Sequence, residues 1–124
     1  MKVAIQGEVG SFHAAAADDW ADGRAIELVT CASFLDVFHA LSTRQVDTVV
    51  SAVENTVYGS INEVYQLIEA SDVPIVGELK LPIAQQLIGF TGTKLADIKE
   101  IYSHPVALAQ CQKTLERVAP NAKL

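Results

Sequence analysis

The 124-residue chain is predicted to adopt an α/β fold built on a parallel sheet. Three times in the first 75 residues, a short aliphatic run is followed by polar residues and then by a helical pattern. Repeated strand–helix units of this length favour parallel strands joined by helical crossovers. The hydrophobic content of 50% is sufficient for a buried core and argues against a disordered chain.

The first unit begins at the N-terminus. Lys2–Gln6 alternates as a short strand, and the glycine turn G-E-V-G-S-F-H follows it. Ser11 is placed to cap the next helix. Because Gly7 and Gly10 lack the third glycine of a dinucleotide fingerprint, we reject a nicotinamide cofactor.

The second unit consists of a strand at Ala25–Cys31 and a helix capped by Ser33 with Asp36. The core-facing stripe of that helix is predicted to be Phe34, Val37, Phe38 and Leu41. His39 lies off the stripe, so we expect it to be exposed.

The third unit is predicted to carry the functional turn. Its strand is Val46–Val53, and Ser60 with Glu63 forms a capping box for the following helix. The apolar face of that helix is expected at Ile61, Val64, Tyr65 and Ile68.

Between this strand and helix lie polar residues and a glycine: Glu54, Asn55, Thr56 and Gly59. Side-chain donors beside the amides of a helix start suit an anionic ligand, and we expect the amides from Thr56 to Ile61 to contribute. The alternative is that Asn55 and Thr56 only satisfy the turn's backbone and Gly59 only permits a tight bend. Spacing alone does not decide between the two interpretations.

From Pro74 the pattern becomes extended, which predicts a crossover between lobes with strand-like alternation over 79–88. A helical turn at 95–97 and a short strand at 100–103 follow. In S-H-P-V-A-L-A-Q-C, Pro105 is at the first position of a helix, directly after Ser103 and His104. Gln110 lies one and a half turns further on, and capping or packing is favoured over metal ligation for His104.

The charge of the chain and the targeting signals in its sequence argue against several classes of function. The net charge of −6 argues against binding nucleic acid. Residues 1–75 carry eleven acidic and three basic side chains, whereas residues 76–124 carry four and six. There is no apolar run of ~18 residues and no signal-peptide pattern, so we expect a cytoplasmic protein that does not bind membranes. Cys31 and Cys111 are too far apart in sequence to predict a metal site, and we expect buried thiols.

Four ordered motifs resemble the catalytic domain of the prephenate dehydratase family: G-E-V-G-S-F-H, E-N-T-V-Y-G-S-I-N-E-V-Y-Q-L-I, I-V-G-E-L-K-L-P-I and S-H-P-V-A-L-A-Q-C. The resemblance implies a two-lobed fold like that of type II periplasmic binding proteins, with mostly parallel sheets and the substrate between the lobes. The lobes are expected at 1–75 and 76–124, the second one incomplete.

The resemblance also implies the reaction: prephenate, a dianion, becomes phenylpyruvate with loss of carbon dioxide and water, in phenylalanine biosynthesis. Neither a metal nor an organic cofactor is needed. The substrate-binding residues expected from the motifs are Asn55, Thr56, Gly59, Ser103, His104 and Gln110. Supporting residues are expected in the turns, at Gly7, Gly10, Ser11 and Glu54. The complete protein is expected to be a homodimer.

Departures from the family pattern qualify these expectations. Glu8 and Ala52 replace usual prolines, and Gln85 stands where the family commonly has histidine. The family's Thr-Arg-Phe motif, which supplies the catalytic acid, is not found in the 124 residues, so we expect the chain alone to be nearly inactive. The alternatives are an arogenate dehydratase, a small-anion binding module of the same fold, and an inert α/β fragment.

Overall fold

The computed structural model describes residues 1–124 and divides into two compact units, Met1–Pro82 (unit 1) and Ile83–Leu124 (unit 2). Residues 76–82 group with unit 1, whereas the sequence placed them with the second lobe. The assignment of functional lobes stays a prediction.

Unit 1 contains three strand–helix repeats and a small hairpin. Its elements are β1 (Lys2–Gln6), α1 (Phe12–Ala21), β2 (Glu27–Cys31), α2 (Phe34–Ser42), β3 (Thr48–Val50), β4 (Glu54–Asn55), β5 (Gly59–Ser60) and α3 (Asn62–Ser71). β1, β2 and β3 form a parallel sheet in the order β2-β1-β3, and β4 pairs with β5 in antiparallel fashion. The predicted α/β class with a parallel sheet is therefore confirmed.

The core of unit 1 lies on both faces of β1. Because side chains alternate along a strand, Val3 and Ile5 face the α1 side, whereas Ala4 faces α2 and α3. All three are 0% exposed. Val37 and Phe38 of α2 and Val64 of α3 complete the second face. The prediction that Tyr65 belongs to the apolar face of α3 is wrong, since Tyr65 is 46% exposed. Leu67 packs against the core instead.

Two of the three helix caps predicted in unit 1 are present. Ser11 Oγ accepts a hydrogen bond from the Ala14 amide (3.2 Å), and Ser33 and Asp36 form a reciprocal capping box at the start of α2. The predicted box of Ser60 and Glu63 is wrong. Ser60 belongs to β5, where it pairs with Glu54, so α3 begins after Ile61 and has no side-chain cap.

Strands are shorter than the sequence predicted. β2 begins two residues later, and only Thr48–Val50 of the predicted third strand pairs with β1. The predicted strand over 79–88 is wrong, because no other segment pairs with it, and a strand needs a hydrogen-bonding neighbour. The predicted strand at 100–103 is reduced to a single parallel bridge between Glu100 and Lys123.

Unit 2 contains a 3₁₀ helix (Leu95–Asp97) and α4 (Pro105–Val118). The helical turn at 95–97 and the helix starting at Pro105 are both confirmed. Its core is small: Ile101, Leu115 and Ala119 are buried against a few half-buried neighbours. In the whole chain, no helix combines the length and the apolar character that a membrane span requires.

Candidate functional site at the carboxyl edge of the unit 1 sheet

The carboxyl edge of the unit 1 sheet gathers the chain's polar turns. β1, β2 and β3 are parallel, so their ends at Gln6, Cys31 and Val50 meet at one edge. The helices that follow begin there, and such edges are where open α/β sheets bind ligands. We call the turns 7–11, 32–33 and 51–61 the carboxyl edge.

The glycine turn supports this edge. Gly7 has a φ of +100° and Gly10 a φ of +87°, which favour glycine because other residues are strained there. The Gly7 amide donates to the Cys31 carbonyl (2.9 Å), which ties the turn to the end of β2. The hydrogen bonds of Gly7 and Ser11 hold the start of α1 in place, and Gly10 permits the bend between them.

Residues Glu54–Ser60 form a hairpin instead of the simple turn expected. Asn55 Oδ1 accepts hydrogen bonds from the amides of Val57 (3.0 Å) and Tyr58 (3.1 Å). Gly59 has a φ of +88°, and the Ile61 amide donates to the Val53 carbonyl (2.9 Å). The bend and its backbone thus use Asn55 and Gly59, as the alternative interpretation of the sequence held.

This hairpin changes which donors can meet a ligand. The expectation that the amides from Thr56 to Ile61 contribute is wrong for Val57, Tyr58 and Ile61, whose amides donate within the chain. Thr56 is exposed near the hairpin tip. The start of α3 has no side-chain cap, and the partial positive charge of its first amides favours an anion. The Val64 amide donates to the Ile61 carbonyl (3.0 Å), and the Glu63 carboxylate lies in the same turn.

Two further groups at this edge were missed in the sequence. The Ala52 amide donates to Nε2 of His13 on α1 (3.2 Å), and burial lowers the pKa of His13. The His13 ring also packs edge-on against Phe34, with centroids 5.8 Å apart. Ser51 Oγ is buried and has no hydrogen-bond partner in the protein. The hydrogen bond between His13 and Ala52 has no local signal in the sequence, since the two residues lie 39 positions apart.

The basic side chains of residues 1–75 are associated with the opposite edge of the sheet. In residues 1–75 they number three: Lys2, Arg24 and Arg44. Lys2 begins β1 and pairs with Glu27 (3.3 Å), Arg24 stacks on Trp20 after α1, and Arg44 follows α2. The segments from helix to strand lie at the amino edge of a parallel sheet. The carboxyl edge therefore has no basic side chain from this part of the chain, and its turns contain amides, neutral side chains and the carboxylates of Glu8 and Glu54.

The predicted residues of unit 2 lie around the start of α4. Ser103 and His104 are exposed. His104 is the N-cap, and its Nδ1 accepts from the Val106 amide (3.3 Å). Of the two roles favoured for it, capping or packing, capping is confirmed. Gln110 is half-buried on the second turn of α4.

Two small cavities in unit 2 are lined by other residues. One, of about 100 Å³, is lined by Glu100, Ile101, Tyr102, Lys123 and Leu124. The other, of about 190 Å³, is lined by residues between Leu87 and Ile98. Because no predicted site residue lines either cavity, we base no function on them.

Comparison with known proteins identifies the relatives of the chain. The family model "Prephenate dehydratase" matches residues 3–124. The bifunctional chorismate mutase/prephenate dehydratase of Escherichia coli (strain K12) is 37% identical over 118 residues, covering 94% of this chain and 31% of the relative. Arogenate dehydratase 2 of Petunia hybrida is also 37% identical over 118 residues, covering 95% of this chain and 29% of the relative.

A solved structure, GqqA, a novel type of quorum quenching acylase, superimposes with a TM-score of 0.78 at 26% identity. The match covers 95% of this chain and 42% of that one. The fold class expected from the resemblance is thereby confirmed. The chain spans less than a third of the length of the two dehydratase relatives.

Proposed function

Because the chain belongs to the prephenate dehydratase family, we propose that it forms the substrate-holding N-terminal part of a dehydratase that converts prephenate to phenylpyruvate. The family match over residues 3–124 is the observation that carries this proposal. The protein would act as a lyase in phenylalanine biosynthesis.

The proposed reaction has three requirements. The protein must hold two carboxylates, let one leave as carbon dioxide, and protonate the departing ring hydroxyl. For holding the carboxylates, the carboxyl edge offers neutral donors, namely the Thr56 hydroxyl, the Asn55 side chain and the first amides of α3. The buried Ser51 hydroxyl is a further candidate contact, because it has no partner within the protein.

The acid is assigned to none of these residues. The resemblance assigns the acid to the threonine of a Thr-Arg-Phe motif that is not found in the 124 residues. The carboxyl edge also lacks a basic side chain from residues 1–75. We therefore expect this chain alone to bind prephenate weakly and to turn it over hardly at all.

Several further predictions belong to this proposal. Ser103, His104 and Gln110 of unit 2 are proposed as additional substrate contacts. The reaction would proceed without metal or organic cofactor, in a homodimer. We propose a cytoplasmic location, and the unpaired Cys31 and Cys111 agree with a reducing compartment.

Arogenate is the second candidate substrate. Arogenate dehydratase 2 of Petunia hybrida is as similar to the chain, at 37% identity, as the Escherichia coli relative. Arogenate carries an amine where prephenate carries a keto oxygen. Rates measured on both substrates in one preparation will decide between them.

A chimera tests the proposed function. The matching segment of the Escherichia coli relative is replaced by this chain, and phenylpyruvate is followed by its alkaline ultraviolet absorbance. We expect turnover of prephenate by the chimera and none above background by the 124-residue chain. A folded chimera that binds prephenate without turning it over would point to a binding module. Activity on neither substrate, without binding, would contradict the proposal.

Asn55 can be tested without losing the hairpin. Asn55→Asp keeps the oxygen that accepts from Val57 and Tyr58, but it removes the amide donors and adds a negative charge. In the chimera we expect kcat/KM to fall by more than ~10-fold, since a hydrogen bond to a charged group contributes about 1.5–3 kcal/mol. An unchanged kcat/KM would restrict Asn55 to its role in the turn.

A further inference from the structure

His13 connects three parts of the carboxyl edge. It lies in the first turn of α1, its ring contacts Phe34 at the start of α2, and its Nε2 accepts from the Ala52 amide. His13 and Ala52 lie 39 residues apart in the sequence. His13 therefore links the starts of both helices to the segment that follows β3.

Ala52 is well placed for such a link. β3 ends at Val50 and the hairpin begins at Glu54, so Ala52 is the middle residue of a three-residue connection. On the hairpin side, Val53 accepts from the Ile61 amide (2.9 Å). A backbone held at Ala52 and Val53 leaves the hairpin little freedom to turn relative to the sheet.

The contact defines the protonation state of His13. Nε2 can accept only when it carries no proton, so the ring is neutral with its proton on Nδ1. The lowered pKa that follows from burial agrees with a neutral ring near pH 7.

We propose that His13 is a positioning residue: through its bond to the Ala52 amide it holds the Glu54–Ser60 hairpin where Asn55 and Thr56 meet the substrate. This inference rests on the proposed function for the identity of the ligand. It assigns no chemistry to His13, which acts only through the backbone of the segment 51–53.

Three variants separate the hydrogen bond from ring packing. His13→Gln places an acceptor as many bonds from the backbone as Nε2 and removes the ring. His13→Phe keeps the ring against Phe34 and removes the acceptor. His13→Asn is polar but one atom too short, and it serves if the Phe variant does not fold. His39→Ala is the matched control, because His39 is exposed on α2.

Amide hydrogen exchange on the 124-residue chain tests the tether directly. We expect the Ala52 amide to exchange roughly 10-fold faster in the Phe and Asn variants, since losing a hydrogen bond opens the amide to solvent. The Gln and His39→Ala variants should match the unmodified chain. Unchanged exchange at Ala52 in both the Phe and the Asn variant would overturn the proposal.

Kinetics of the chimera test the consequence for the substrate. We expect KM for prephenate to rise by roughly 3- to 10-fold in the Phe and Asn variants, with kcat changed far less, and Gln to restore KM. An equal fall of kcat in all three variants, or an unchanged KM, would overturn the positioning role. If the unmodified chimera neither binds nor turns over prephenate, the proposed function fails, and hydrogen exchange still decides whether His13 holds the hairpin.

Discussion

Units 1 and 2 differ in how their helices are held. In unit 1 the helices pack on both faces of a parallel sheet whose central strand is fully buried at Val3, Ala4 and Ile5. In unit 2 the strand pairing is a single bridge between Glu100 and Lys123, and the buried apolar residues are Ile101, Leu115 and Ala119.

This difference shows where the chain can position a ligand precisely. The turns of the carboxyl edge are held by hydrogen bonds to residues far away in sequence, such as Gly7 to Cys31 at the end of β2 and Ala52 to His13 in α1. The start of α4 is held by local contacts, such as that of His104 with Val106. We therefore expect the unit 1 turns to be more rigid than Ser103 and His104.

The largest expected effect is in the unit 1 core. Ile5→Ala should lower the free energy of unfolding by about 2–5 kcal/mol, because it removes buried methyl groups and leaves a cavity. Urea unfolding followed by the fluorescence of Trp20, the single tryptophan, measures this. Ile75→Ala is the control, since Ile75 is 72% exposed and should change stability by less than ~0.5 kcal/mol. Equal effects of the two substitutions would contradict the described core.

The corresponding substitution in unit 2 should act locally. Leu115→Ala removes a side chain whose apolar neighbours, such as Leu108 and Val118, lie in unit 2. We expect the α4 amides to exchange faster while the Trp20 transition shifts by less than ~1 kcal/mol. Leu95→Ala, at a residue 52% exposed, should leave both unchanged. A shift at Trp20 as large as that of Ile5→Ala would show that the units unfold together.

The starts of α2 and α3 differ in whether a serine caps the helix. Ser33→Ala should cost about 1 kcal/mol, because Ser33 Oγ accepts from the Asp36 amide and no other group replaces it. Ser60→Ala should cost less than ~0.5 kcal/mol, since Ser60 is exposed and caps no helix. Urea midpoints measure both. A larger loss for Ser60→Ala would restore the capping box that the sequence predicted for α3.

The smallest expected effect is a pH dependence from His13. Burial lowers its pKa below the ordinary value of about 6.5, so the unfolded chain binds the proton more readily than the folded one. This contribution to stability is complete above pH 6.5 and is lost as the pH falls through the folded-state pKa. Urea midpoints between pH 7.5 and pH 5 should fall less steeply for His13→Gln than for the unmodified chain. Identical slopes would exclude His13 as the cause.

Much of the fold could be predicted because its signals are local. The alternating β1, the cap at Ser11 and the box of Ser33 and Asp36 are each encoded within a few residues, and all are present. Pro105 similarly predicted the start of α4. Patterns that need a partner strand failed: the segment 79–88 alternates like a strand but pairs with nothing in the chain.

The candidate site was less predictable, because its geometry depends on strand pairing and on contacts between residues that are distant in sequence. Ser60 had the spacing of a cap, yet its pairing with Glu54 placed it in β5. Asn55 was singled out correctly as a polar turn residue, but that its oxygen accepts two turn amides depends on the hairpin geometry. His13 and Ser51 were overlooked because their environments are made by residues far away in sequence.

A titration of the ¹⁵N-labelled 124-residue chain with prephenate, followed by amide chemical shifts, tests most directly whether the carboxyl edge meets the substrate. If the carboxyl edge holds the substrate, the largest changes will fall within residues 51–64, and the amides near Lys2, Arg24 and Arg44 at the opposite edge will not move. Changes centred on those basic residues, or no changes up to the solubility limit of prephenate, would contradict the claim that this edge meets the substrate.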